Sequence, residues 1–239
     1  NETLIYDLKT FEILKIFNHT EFTLDQNKNN FEDWNASLIS SVEKRFSNLQ
    51  CELLLPLSSG HDSGLIACVL NLLEIPYVSY SINKKEEKSI LKDRLFLKDK
   101  IFAPERSIQI DKLKETEKEI SKNFLNENID EFYYGRNLEK SFIVSSGFDD
   151  PGALALTFLL KDSKKKFPNI KVVASGQGGD EIYSNLQTYT FNSPNPLFFD
   201  EDLKSIFPWE NFFYGSNTSY LQKEEYIGGA FGLETRYPL

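Results

Sequence analysis

Apolar residues recur along the chain in two periods, three to four residues and continuous short runs, and the two alternate. Trp34, Leu38, Val42 and Phe46 are spaced four apart, which predicts an amphipathic helix over 31–47. Leu53-Leu54-Leu55-Pro56-Leu57 is a continuous apolar run, predicted as a strand over 52–57 and buried on both faces. A helix over 63–74 follows, then a strand over 77–82. The charged run 84–100 is helical in character, with Leu91, Leu95 and Leu97 expected to face inward; its charges read as a solvated face. A short strand over 107–110 and a polar helix over 112–126 come next. Residues 127–150 form the least regular part, a substrate loop or a packed connection. A helix over 152–167 and a strand over 171–174 complete the pattern. Residues 1–30 carry only short strand-like pieces, Thr3–Tyr6 and Ile13–Phe17.

Strands alternating with helices predict an α/β fold, a doubly wound parallel sheet in a three-layer sandwich, with right-handed crossovers. The expected organisation is a short edge or the tail of a preceding domain at 1–30, and one main domain over 31–239. In such sheets ligands bind beyond the carboxyl ends of the strands, where strand order reverses. Two strands here end in small polar residues. The first runs into Ser58-Ser59-Gly60-His61-Asp62-Ser63, the second into Ser175-Gly176-Gln177-Gly178-Gly179-Asp180-Glu181. If those strands are neighbours, the two turns belong to one site.

The first turn offers the hydroxyls of Ser58, Ser59 and Ser63, a close backbone approach at Gly60 and a helix N-terminus, a set suited to phosphate. No lysine follows, so this is not a P-loop. A carboxylate, Asp62, at a phosphate site calls for Mg²⁺, and Asp180 offers a second carboxylate. The second turn's glycines leave room for a base or ribose. His61 reads as a solvent- or helix-facing residue.

Composition narrows the rest. The 239 residues are 40% hydrophobic and 26% charged, with a net charge of −9. That balance leaves no excess of cations to wrap a nucleic-acid backbone. No apolar run nears the roughly 20 residues that span a bilayer, so neither nucleic acid nor membrane is an expected partner, and a cytoplasmic location is. Cys51 and Cys68 give neither a disulfide framework nor a zinc set, and both are expected to be core thiols. The chain has no methionine, even at position 1, so it is expected to be a piece of a longer protein.

Together the two turns carry a resemblance. The first resembles the S-G-G-x-D-S signature of the PP-loop ATP pyrophosphatases. The second resembles the S-G-E-G-x-D-E signature of asparagine synthetase, and Gly232-Leu233-Glu234-Thr235-Arg236-Tyr237-Pro238-Leu239 resembles the G-x-E-x-R-x-P-F that follows it. Three motifs in order, from about residue 31 onward, resemble the asparagine-synthetase-like branch, which includes β-lactam synthetases and lasso-peptide cyclases.

The resemblance implies that ATP adenylates a carboxylate, releasing pyrophosphate, and that ammonia or an amine then attacks the acyl-adenylate. The amine's source would be a glutaminase outside this chain or a separate substrate. It implies that Ser58, Gly60 and Ser63 hold the pyrophosphate portion and that Asp62 and Asp180 carry Mg²⁺. Leu57, Ser81, Ser175 and Gly176 would line the adenosine pocket, partly through backbone groups. Ser59 stands where the signature has its first glycine. Gln177 stands where asparagine synthetases have a glutamate; an amide hydrogen-bonds but cannot act as a base, so the expectation is either a different nucleophile or a part taken by Glu181. The Glu234/Arg236 pair is expected to brace the fold. The family's leaving-group lysine is expected past the position of Leu239. Two rival readings are a PP-loop domain that holds nucleotide without ligase chemistry, and a thiolation or NAD-synthetase-like relative, which the second motif and the lack of a reactive cysteine pair disfavour.

Overall fold

The computed structural model describes residues 2–18, 29–138, 141–177 and 217–238. They fall into two units, one within Asn1–Asn30 and one within Phe31–Tyr189 and Pro208–Leu239. The first holds an antiparallel hairpin of β1 (Glu2–Tyr6) and β2 (Ile13–Asn18), with a register shift between Ile5 and Tyr6.

The second unit is α/β, a five-stranded parallel sheet with helices on both faces. In chain order its elements are α1 (Glu32–Phe46), β3 (Glu52–Pro56), α2 (His61–Leu72), β4 (Val78–Ile82), α3 (Lys88–Ile101), β5 (Ser107–Ile110) and α4 (Glu115–Asn128). A hairpin of β6 (Tyr133–Leu138) and β7 (Ser141–Ser146) follows. The chain then runs through α5 (Pro151–Lys166), β8 (Ile170–Ala174), α6 (Asn217–Ala230) and β9 (Glu234–Arg236). The sheet order is β5-β4-β3-β8-β9. The chain therefore winds outward from β3 to β5, returns to the other side of β3, and continues to β9. Because parallel crossovers are right-handed, reversing direction sends the connecting helix to the opposite face. Buried residues of α1, α2 and α3 pack with Leu53, Leu55 and Leu57 on one side. Those of α4, α5 and α6 pack with Leu54, Val78, Tyr80 and Val173 on the other. Leu53, Leu54 and Leu55 are each at most 1% exposed, as a central strand requires.

Helix faces account for most departures from expectation. In α1 the buried stripe is Leu38, Val42 and Phe46, and Trp34, a turn earlier, is 39% exposed. In α3 the stripe is Leu91, Leu95 and Lys98; Leu97 sits about 200° around from Leu95 and is exposed. Cys68 falls on the outward line of α2 and is exposed, while Cys51 is half-buried, so neither is a fully buried core thiol. Residues 127–150, expected to be irregular, contain the β6–β7 hairpin. Its strands are short and interrupted by polar Arg136 and Asn137, which hid the alternation. Among the described residues no helix is long and apolar enough to cross a membrane.

Lys98 is fully buried. Its ammonium donates to Ser107 Oγ at 2.9 Å, and that hydroxyl donates to Asp99 Oδ1 at 3.0 Å. Burial pulls the lysine below its ordinary range, with Asp99 opposing the shift. As pH rises towards about 10 the folded chain therefore gives up this proton before the unfolded chain does, so this group adds stability over that rise. Tyr77 and Tyr80 act in the opposite sense. Burial pushes both phenols above the usual tyrosine range, and above about pH 10 the unfolded chain sheds protons the folded chain keeps. Lys98→Met is expected to be at least as stable as wild type at pH 7 and to lose its relative advantage by pH 10. Thermal melts of both proteins across that range check this; a constant difference would contradict it.

Candidate functional site

The first turn is held by its own ends. Ser58 N–H donates to Ser63 Oγ at 3.1 Å, the two hydroxyls lie 2.8 Å apart, and Gly60 N–H donates to Ser58 Oγ at 3.1 Å. The loop closes on residues five apart, which sets Gly60 as the N-cap of α2. Gly60 has no side chain to cap that helix, so its first amides are not spent on an N-cap side chain. His61 is exposed and Ser63 buried. Leu57 N–H donates to Tyr80 O at 2.8 Å, extending the β3–β4 ladder past Pro56. Leu57's side chain is core, so only its backbone can face a ligand.

The second turn meets the first directly. β8 pairs with β3, Leu54 opposite Val173, and its end passes the N-terminus of α2 at Gly176. A Cβ on Gly176 would lie 2.8 Å from Asp62 Cβ, 3.1 Å from Ser63 N and 3.2 Å from Asp62 C. Glycine is needed here because backbone passes backbone with no room for a side chain. The strand order reverses between β3 and β8, so this contact sits at the switch point where ligands bind in such sheets. Ser175, 5% exposed, donates its N–H to Arg236 O at 2.9 Å, and Gln177 N–H donates to Ser175 Oγ at 3.0 Å. Gly178, Gly179, Asp180 and Glu181 lie outside the described residues.

Three buried polar groups at the ends of β4 and β8 have no hydrogen-bond partner among the described residues, Asn83 Oδ1 just past β4 and two more. Of those two, one is Ser81 Oγ, on a residue 1% exposed next to the first turn on β4; the other is Gln177 Nε2. Leaving such groups unsatisfied costs about 1–3 kcal/mol each.

The sequence did not reveal two charged neighbours. Ser59 gives both its N–H and its hydroxyl to Glu86 Oε2, the latter at 2.6 Å, and its hydroxyl accepts from Glu87 N–H at 3.0 Å. Arg94 Nη1 donates to Ser58 O and, at 2.7 Å, to Gly60 O. Both charges come from the run read as a solvated face. The signal available in the sequence was Gly64, a glycine inside a helix, which costs about 1 kcal/mol relative to alanine and marks a close approach.

The third motif ties its strand to α1. Arg236 holds Glu234 through paired contacts of 2.8 and 2.9 Å, and this ion pair holds the Glu234 carboxyl below its usual range. Arg236 Nη1 also donates to Arg45 O, and Ser41 Oγ donates to Pro238 O at 2.8 Å, tying β9 to α1.

No family model matches the chain, and no curated protein matches it. Among the described residues no group of three or more His, Cys, Asp or Glu side chains is placed to hold a metal. Asp62 remains compatible with Mg²⁺, which is usually bound through one or two carboxylates with water and substrate phosphates filling the other positions.

Proposed function

We propose that the chain is an ATP-dependent carbon–nitrogen ligase domain of the asparagine-synthetase-like, PP-loop type, which adenylates a carboxylate for attack by ammonia or an amine. The observation that carries this reading is the packing of Gly176 against Asp62 and Ser63, which joins the two signature-like turns at the switch point. The unpartnered Ser81 hydroxyl, on a residue the resemblance assigns to the adenosine pocket, supports it further.

In this reading a carboxylate oxygen of the substrate attacks the α-phosphorus of ATP. The bond from the α-phosphorus to the bridging oxygen breaks, and pyrophosphate leaves with that electron pair. The amine nitrogen then attacks the acyl carbon, the bond from that carbon to the AMP phosphate oxygen breaks and AMP departs with its electron pair, and the nitrogen gives its extra proton to water. Ser58 and Ser63 would exchange their mutual hydrogen bond for phosphate oxygens, and the first amides of α2 would stabilise the departing charge. Ser59 has its donors on Glu86, so the grip falls on its neighbours. Asp62, with Asp180, would hold Mg²⁺, which when bound neutralises the polyphosphate. Backbone groups of Leu57 and Gly176 with Ser81 and Ser175 would hold the adenosine, and the crevice would set the two reactants in line.

Gln177 favours a second reading, nucleotide binding without ligation, because its buried amide is a donor with no basicity. Pyrophosphate release with ATP, Mg²⁺ and a panel of carboxylates and amines separates the two. Release above background with one pair supports the ligase; ATP binding with no release from any pair supports the second reading.

A further inference from the structure

Gly64 lies in the first turn of α2 although helix interiors disfavour glycine. A Cβ there would lie 2.2 Å from Arg94 Cζ and Nη2 and 2.7 Å from its Nε. The absent side chain is what allows the guanidinium to lie across that turn. Arg94 is half-buried, and its partners among the described residues are two carbonyl oxygens, those of Ser58 and Gly60, with no ion pair. A cation at a helix N-terminus opposes the macrodipole, so helix stability does not account for it. An anion in the turn does: carbonyl oxygens aimed at it would repel it, and a fixed cation beside it would attract it. On β4, which pairs with β3 beside this turn, the buried Ser81 hydroxyl has no hydrogen-bond partner among the described residues.

We propose that Arg94, admitted by Gly64, is a positioning residue of the turn. It draws the Ser58 and Gly60 carbonyls onto its Nη1 and so fits the turn to a polyphosphate. This rests on the nucleotide reading above.

The test is titration of the full chain, in Mg²⁺, with ATP and with inorganic pyrophosphate, for wild type, R94A, R94K, G64A and R94A/G64A, with a melt of each. R94A and G64A are expected to weaken both ligands by about tenfold, the scale of one hydrogen bond to a charged group. G64A should melt near wild type, since alanine is the better helix former. R94K should not restore binding, because an ammonium lacks the planar fork. The double variant should bind no more weakly than R94A, because both changes remove one contact. Wild-type affinity in R94A or R94K, or additive losses in the double variant, would overturn the proposal. If G64A fails to fold, R94A and R94K decide it alone. If wild type itself takes up neither ligand, the nucleotide reading fails and this inference falls with it; binding by wild type with R94A unaffected overturns only the inference.

Discussion

Asp62→Asn is expected to lower turnover by at least a hundredfold, equivalent to about 2.7 kcal/mol of transition-state stabilisation, while leaving the fold intact. Asn keeps the size of Asp62 and removes the charge. In the proposed mechanism that charge brings Mg²⁺ to the polyphosphate, and without it pyrophosphate must leave with its repulsion uncompensated. The helix itself loses little, about 0.3–1 kcal/mol from an acidic residue in its first turn. Turnover by pyrophosphate release, set beside a thermal melt, separates the two effects. Wild-type turnover in the variant would remove Asp62 from the site.

Replacing Gly176 by alanine should damage both stability and binding. The new Cβ meets Asp62 Cβ at 2.8 Å and the backbone of Asp62 and Ser63 at 3.1–3.2 Å, and backbone cannot swing aside as a flexible side chain would. The end of β8 and the start of α2 must part, at a cost of about 1–3 kcal/mol for overpacking of this kind, or several degrees of melting temperature for a domain of this size. The same parting widens the crevice at the switch point, so ATP affinity should fall with it. Denaturant unfolding and ATP titration of Gly176→Ala check both; unchanged values would mean that the two turns are not held against each other.

The parts of this fold legible in the sequence are those whose burial is symmetric or strictly periodic. Leu53–Leu55 is apolar at every position because β3 is covered on both faces, and Leu38, Val42 and Phe46 mark α1 because one stripe faces the sheet. Both elements lie within two residues of expectation. The adjacency of β3 and β8 could be posed only as a condition, because strand order is a long-range property that no local pattern encodes. The β6–β7 hairpin and α6 escaped because polar residues break their patterns. Leu97 and Lys98 exchanged places for a different reason. The hydrophobic residue was expected inside, but helix geometry puts position 98 in line with Leu91 and Leu95, and Ser107 and Asp99 give the lysine partners there.

The candidate site was legible unevenly. Ser58, Asp62, Ser63, Ser175 and Gly176 stand out because small and acidic residues interrupt apolar runs. Glu86 and Arg94 do not, since each acts on a turn about 30 residues earlier and sits in a charged run that composition alone assigns to solvent. Gly64 was the local trace of that long-range contact.

The most direct test of the account is where ATP sits. Photolabelling the full chain with 8-azido-ATP in Mg²⁺, followed by peptide mapping, is expected to place the label on peptides from the carboxyl ends of β3, β4 and β8, with excess ATP protecting them. Label confined to other segments, such as the β1–β2 hairpin or α1, or labelling that ATP does not suppress, would contradict the claim that the Ser58–Ser63 and Ser175–Gln177 turns form one nucleotide site.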